Sequence, residues 1–382
     1  MPARRAAFNT RVLASVLFVA IPVLLIGAAV VISIGQARLR DTEGARLEQD
    51  AEYTAATVDA YVFRRILDAA VLGRIPEIRR AAAEGSAAKY DKEAALKLDQ
   101  QWQANRAAAS AQTGILKVPA SVFLADIVRQ DPVYREVLVT DRYGRLVAAS
   151  NVTSDYLQND EDWWTQAFDQ GHGRVIVTDV RRDESAGVYA FDIVVPVPAP
   201  GAEEMAGVLK IVADSREMLA GIAGLEFGKT GEAMLVRPDG SIVFSRRSYD
   251  PKDRFFAADL MGERLYERER RKESPGGMTF TARPENGATR IVAVAPGQLP
   301  RSYPNLNWLV ALSIEQDEVL APFRSLVWYM VIVFALTAVA VLAIGLWLSL
   351  RLAAPSIDPT VDMHLVEHAP MTGTEETSDA RG

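Results

Sequence analysis

Apolar residues are gathered into two blocks and a set of short periodic stretches. Val12 to Ile34 is a run of about 23 residues broken only by Ser15, Pro22, Gly27 and Ser33. Val327 to Leu350 is a second run of similar length without a charge. At 1.5 Å per residue each reaches across a hydrocarbon core of about 30 Å, so both are expected to be transmembrane helices (12–34 and 327–350). Pro22 does not oppose this, because a bilayer helix tolerates proline better than a soluble one. Next comes a helical period. Ala51, Ala55, Val58, Val62, Ile66 and Ala69 recur at steps of three and four, which predicts one apolar face on a helix over 37–70. Some 34 residues make about 50 Å of helix, a stalk that continues the first span and then packs along the fold. Asp91 to Ala111 is a second helical segment, rich in alanine.

From Val133 the period becomes two. Val137-Leu138-Val139, a turn at Asp141 to Gly144, and Leu146-Val147-Ala148 predict a hairpin. A similar unit follows at Ala233 to Val236, Pro238-Asp239-Gly240 and Ile242 to Phe244. Each is followed by two further strands: Ile193 to Val195 with Val208 to Val212, then Ile291 to Val294 with Trp308 to Leu312. The Pro/Gly-rich joints at Pro196 to Gly201 and Pro296 to Pro304 fit loops between them. This weak repeat predicts an α+β architecture: a long N-terminal helix, then two tandem modules (71–212 and 213–325) with antiparallel sheets, flanked by the two spans.

Charge orients the chain. Arg4, Arg5, Arg11 and Arg351 predict that residues 1–11 and the tail 351–382 are cytoplasmic, with the middle exported to the periplasm or cell surface from an inner membrane. The first run is longer than a cleaved signal peptide requires, which favours an uncleaved anchor, although Gly35-Gln36-Ala37 offers small residues for cleavage. A net charge of −7 gives no reason to expect nucleic acid as a partner. The chain has no cysteine, so the exported part is held by its own core rather than by disulfides. The prolines and acids after Leu350 predict a disordered tail, too short for an output domain.

Motifs for chemistry are sparse. Gly224 to Thr230 resembles a phosphate-binding loop but is one residue short, and reads as a turn. His364 and His368 have chelate spacing but sit in the tail, where nothing orients them, so no metal and no cofactor are expected. No Ser/His/Asp or Cys/His set exists in the exported part, whose only histidine is His172, so no catalytic residues and no enzyme are expected. Asp155 to Ala167 stands apart. Trp163 and Trp164 beside charged residues suit either an aromatic-walled pocket for a small molecule or a hydrophobic corner with its acids in solvent.

In order and spacing, residues 37–325 resemble the double Cache sensor family, the extracytoplasmic ligand-binding regions of bacterial chemoreceptors and sensor kinases. The resemblance covers the long first helix, the Thr140 to Gly144 hairpin, Val177 to Ser185, Ile193 to Val197, and the Gly228 to Gly231 turn. It implies two PAS-like modules, of which the membrane-distal one binds and the membrane-proximal one relays. In amino-acid-binding members the distal module carries a tyrosine, an arginine, a Trp-Tyr pair, an alanine and a later aspartate. Tyr156, Trp163 and Ala167 fit that pattern, Trp164 stands for the second tyrosine, and Asp183 is similar in context to the aspartate that grips the ligand's amino group.

Glu161 stands where the arginine would be. A ligand carboxylate would meet a carboxylate there, at about 4 kcal/mol for like charges 4 Å apart at an effective dielectric of 20. The expected ligand is therefore a cationic amine held by Tyr156, Glu161, Trp163, Trp164 and Asp183, unless Glu161 turns outward to Arg181 or Arg182. By the same resemblance the chain is a membrane-anchored sensor or receptor for signal transduction. Its expected partners are a small-molecule ligand, the lipid bilayer, a second copy in a homodimer with the 37–70 helices side by side, and a separate signalling partner. The alternative is a structural or assembly protein that uses the same scaffold for protein contacts without a small ligand.

Overall fold

A computed structural model describes residues 10–104, 109–183, 188–202, 204–246, 253–303 and 306–351. Among these the helices are α1 (Thr10–Leu72), α2 (Pro76–Ala87), α3 (Lys92–Gln103), α4 (Ala109–Leu116), α5 (Pro119–Gln130), α6 (Asp162–Phe168), α7 (Arg216–Ala223), α8 (Ala258–Arg271) and α9 (Gln316–Arg351). The first six strands are β1 (Tyr134–Asp141), β2 (Leu146–Ala149), β3 (Ile176–Val177), β4 (Arg181–Asp183), β5 (Val188–Pro198) and β6 (Met205–Asp214). The remaining five are β7 (Glu232–Val236), β8 (Ile242–Ser245), β9 (Met278–Ala282), β10 (Arg290–Pro296) and β11 (Leu309–Glu315). The tail with His364 and His368 lies outside the described residues.

Helix α1 is one uninterrupted element of 63 residues that includes Pro22. Its apolar N-terminal part and α9 are both long and apolar enough to cross a membrane. From Leu47 onward α1 has two distinct faces. Leu47, Ala51, Ala55, Val58, Val62, Ile66, Ala69 and Leu72 are buried. On the outer face Tyr53, Ala56, Ala60, Phe63 and Leu67 are exposed and Ala70 is half-exposed. Their steps of three and four, strictly alternating, are the spacing of a coiled-coil seam.

The two sheets are antiparallel throughout and share one topology. The first runs β2-β1-β6-β5-β3 with β4 also on β5; the second runs β8-β7-β11-β10-β9. In each, the last strand lies against the first strand of the opening hairpin, so the repeat read from sequence is a repeat of topology. The buried face of α1 belongs to a single core that takes Val137, Val139, Ile193, Val195, Leu209 and Ile211 from the first sheet. The same core takes Ile291, Ala293, Val310 and Leu312 from the second. Polar contacts fix the helix along it. Thr279 donates to the Gly44 carbonyl (3.2 Å) and to Glu48 (2.7 Å), Gly277 N–H donates to Glu52 (2.7 Å), and Asp59 accepts from the Gln298 and Leu299 amides. Each sheet also has a second covered face with its own core, around Trp163 and Trp164 in the first and Met261 and Phe280 in the second.

Helices α2 and α5 were not expected from the sequence, although α5 carries an apolar stripe of Ala120, Phe123, Leu124, Ile127 and Val128 that packs on the core. Both begin at a proline (Pro76, Pro119), whose fixed φ and missing N–H suit a first helical turn. Strands β3 and β4 have only two and three residues, too few for a period of two to show, whereas β9 does alternate, with Met278 and Phe280 buried, and was not expected.

The centre of the first sheet tolerates no side chain at Gly207, where a Cβ would lie 1.8 Å from the Thr140 carbonyl oxygen. Gly207→Ala must therefore push β6 from β1. The expected outcome is a loss of about 3 kcal/mol, read as an apparent Tm lower by roughly 5–10 °C in thermal unfolding of the full chain.

Candidate functional site

The face of the first sheet turned away from α1 is set by strand alternation. Registers Leu138↔Lys210↔Val194, Thr140↔Val208, Asp192↔Val212 and Ile176↔Val194 bring these side chains to one surface. Helix α6 lies across β3, β5 and β6 on that surface. It presents Trp163, Trp164 and Ala167 to it, all buried. Beside it is an open cleft of about 650 Å³. Asp160, Glu161, Asp162 and Asp179 form its acidic rim, Trp163, Ile176 and Val177 its apolar wall, and Arg181 is its basic side chain among the described residues.

The five residues expected from the sequence fall in three places. Glu161 and Trp163 line the cleft. Trp164 and Tyr156 belong to the packing beneath it: Trp164 Nε1 donates to Thr140 Oγ1 (2.8 Å) and its ring stacks on Phe168 at 4.8 Å. Tyr156 tilts against Trp102 at 5.8 Å, and its amide donates to Asp99 (2.8 Å). The Asp183 side chain is outside the described residues, although its backbone pairs with Val188.

Glu161 is an exposed cap residue at the start of α6 whose side chain makes no capping bond. Its carboxyl is raised above the usual range, chiefly by desolvation and then by Asp155 and Asp160, with Lys210 and Arg181 opposing. Arg181 does not turn to Glu161. Its guanidinium donates to Asp192 Oδ2 at 2.7 Å.

Three residues that carry charge at this site were not singled out from the sequence: Asp192, Lys210 and Asp179. Asp192 is buried in the centre of the sheet, with Lys210 Nζ 3.6 Å from its Oδ2. Its other oxygen, Oδ1, has no hydrogen-bond partner among the described residues. The Lys210 ammonium also lies 4.6 Å from the centre of the Trp163 ring, a cation–π distance. Asp179 is bound to the second module: it accepts from Trp308 Nε1 (2.9 Å) and from Arg237 Nε (2.5 Å). The available signal was a charge inside an apolar strand, Lys210 within Val-Leu-Lys-Ile-Val and Asp192 within Phe-Asp-Ile-Val-Val.

The Gly224 to Thr230 loop is a turn that does cradle an anion, supplied by the chain itself. The Lys229 and Thr230 amides (2.6 and 2.8 Å) and the Thr230 hydroxyl (2.6 Å) donate to Glu318. The Thr230 hydroxyl first, and then the two amides, lower the Glu318 pKa. No group of three or more metal-ligating side chains occurs among the described residues.

The Cache domain model matches residues 35–323. Among solved structures, the ligand-binding domain of the Pseudomonas aeruginosa amino acid chemoreceptor PctB, in complex with L-Arg, is similar at 19% identity and a TM-score of 0.44. The match covers 74% of this chain and 98% of that one. The ligand-binding domain of the Campylobacter jejuni chemoreceptor Tlp3, in complex with L-norvaline, matches at 11% identity and a TM-score of 0.49, covering 74% and 94%. The ligand-binding domain of the Pseudomonas aeruginosa chemoreceptor PctC, in complex with GABA, matches at 18% identity and a TM-score of 0.44, covering 72% and 100%. No curated protein matches the chain.

The Trp164–Thr140 bond joins two buried groups, so removing its donor leaves a buried hydroxyl short of a partner. Trp164→Phe is expected to destabilise the chain by about 2 kcal/mol, measured by denaturant unfolding, and Thr140→Val in the same background should recover part of that loss.

Proposed function

The chain belongs to the Cache domain family, and on that premise we propose that it is a membrane-anchored, extracytoplasmic small-molecule sensor whose ligand is a cationic amine. One observation carries the reading. The cleft on the first sheet joins an aromatic wall, Trp163, to a rim of Asp160, Glu161, Asp162 and Asp179; among the described residues its lining cation, Arg181, is drawn off to Asp192, while Lys210 lies on the Trp163 ring and Arg237 pairs with Asp179. An ammonium there gains from the rim charges and from the indole face, whereas a carboxylate meets Glu161. In this reading Glu161 and Trp163 touch the ligand, Trp164 and Tyr156 hold the wall in place, and Asp183 lies on the strand that flanks the cleft. Arg4, Arg5 and Arg11 put the N-terminus in the cytoplasm.

A second reading, a scaffold for protein contacts without a small ligand, is favoured by one feature: Trp102, Tyr156 and Trp164 already fill much of the same sheet face. Calorimetric titration separates the two. The sensor reading expects simple amines to bind and α-amino acids to bind weakly. Because Glu161 is exposed, Glu161→Ala should weaken amine binding only about two- to fivefold. Tight amino-acid binding, or amine binding indifferent to Glu161→Ala, would sink the amine assignment.

The pH dependence has a definite sign. The Glu161 carboxyl is raised above its ordinary value, and only its ionised form attracts an ammonium. Amine affinity should therefore fall as pH drops through a midpoint above the usual glutamate range, and Glu161→Gln should remove that step.

The seam from Tyr53 to Ala70 also supports a homodimer. Its large residues (Tyr53, Phe63, Leu67) are interspersed with Ala56, Ala60 and Ala70, which let two helices approach closely, and a second copy in the same membrane presents the identical seam in parallel. The chain has no cysteine, so single replacements report cleanly. Ala60→Cys should crosslink between copies under mild oxidation and Val58→Cys, buried in its own core, should not. The reverse pattern would contradict the seam.

A further inference from the structure

Resting on the amine reading above, we infer that Asp192 is the anchoring carboxylate of the cleft and that Arg181 is a resident cation which the ligand's ammonium displaces. Asp192 stands in the middle of β5 with a side chain only 1% exposed, and such a charge persists in a sheet interior only when paired. Two cations share the task in unequal ways. Lys210, on the neighbouring strand β6, is 11% exposed and held against the Trp163 ring, so it is part of the packing. Arg181 is 53% exposed, comes from the three-residue strand β4, and lines the cleft with the outer part of its side chain. Its guanidinium reaches Asp192 by one bond to Oδ2, and Oδ1 has no partner among the described residues.

This is an incompletely served acceptor behind a mobile type of donor. A buried carboxylate oxygen without a donor calls for an explanation, and a site that receives a donor from outside is one. An entering primary ammonium brings three donors on a point charge. It can serve both Asp192 oxygens where the guanidinium serves one, and it leaves the Arg181 side chain to turn toward Asp160, Glu161 and Asp162 on the rim. The exchange keeps the charge at Asp192 unchanged, so the carboxylate is never left unpaired. Arg181 thereby sets specificity: a neutral or anionic molecule cannot replace it on Asp192, and only a cation small enough to pass Trp163 can.

The test uses the full chain in detergent with n-butylammonium chloride as the probe, titrated by calorimetry. Removing the competitor should strengthen binding, so Arg181→Ala is expected to bind the probe about tenfold more tightly than wild type, equivalent to about 1.4 kcal/mol. Arg181→Lys, which restores a resident cation, should stay near wild type. Asp192→Asn should weaken binding at least about tenfold and should cancel the gain when combined with Arg181→Ala. If Asp192→Asn fails to fold by circular dichroism, the comparison of Arg181→Ala with Arg181→Lys decides alone. Wild-type binding with no gain in Arg181→Ala, or unchanged binding in a folded Asp192→Asn, overturns the anchor and leaves the amine reading standing. Absence of binding in both wild type and Arg181→Ala overturns the amine reading and the anchor together.

Discussion

The buried face of α1 is the constraint on which the two-sheet structure depends. Eight side chains between Leu47 and Leu72 close a core that is shared by both sheets. Burial of a valine, leucine or isoleucine contributes about 1.5–3 kcal/mol each, and on the first sheet α2 and α5 add Ile78, Ala82, Ala120 and Leu124 to the same core. Without that helix face the inner strands β6 and β11 would present Leu209, Ile211, Val310 and Leu312 to water. Because one rigid element serves both sheets, a displacement of either sheet along it is felt by the other.

This arrangement frees the opposite face of the first sheet for chemistry. The cleft beside α6 opens on that second face, where the sheet carries Asp192 and Lys210 among apolar neighbours. Charges in a sheet interior lower stability relative to well-packed apolar residues unless function retains them. Their place on this face, beneath Trp163 and beside an open cleft, is the observation on which the proposed binding site rests. The second sheet offers the contrast. Its corresponding face is filled by Met234, Phe255, Met261, Met278 and Phe280, and the buried Arg290 at the end of β10 is held by Ser313, the Thr230 carbonyl and Glu315. The two modules share a strand order and differ in what covers it. Asp179 joins them directly, since the carboxylate that lines the cleft of one also receives Trp308 and Arg237 of the other.

Much of this fold was legible in the chain. The two apolar runs, the helical period from Ala51 to Ala69 and the two hairpins each rest on a local pattern, and local patterns survive whatever the tertiary context does. The α5 stripe and the alternation of β9 were readable but were not singled out, and β3 and β4 escaped because two or three residues are too few to show a period. At the site, Glu161 and Trp163 were visible because adjacent tryptophans stand in a run of acids and amides between strands. Trp164 and Tyr156 were visible for the same reason, yet their partners, Thr140 and Trp102, turn them into the packing beneath the cleft.

What the sequence determined by itself, then, is periodicity and composition: which stretches can span a bilayer, which helix face is apolar, which strands pair as hairpins, and that residues 155–167 carry costly aromatics. What only the tertiary structure decided is which charges meet. Arg181, Asp192 and Lys210 lie on three different strands, and their convergence follows from the registers of β4 on β5 and of β5 on β6. A one-residue slip in either would send a side chain to the other face of the sheet. No local pattern encodes that register, because it is set by how the whole sheet packs between α1 on one side and α6 on the other.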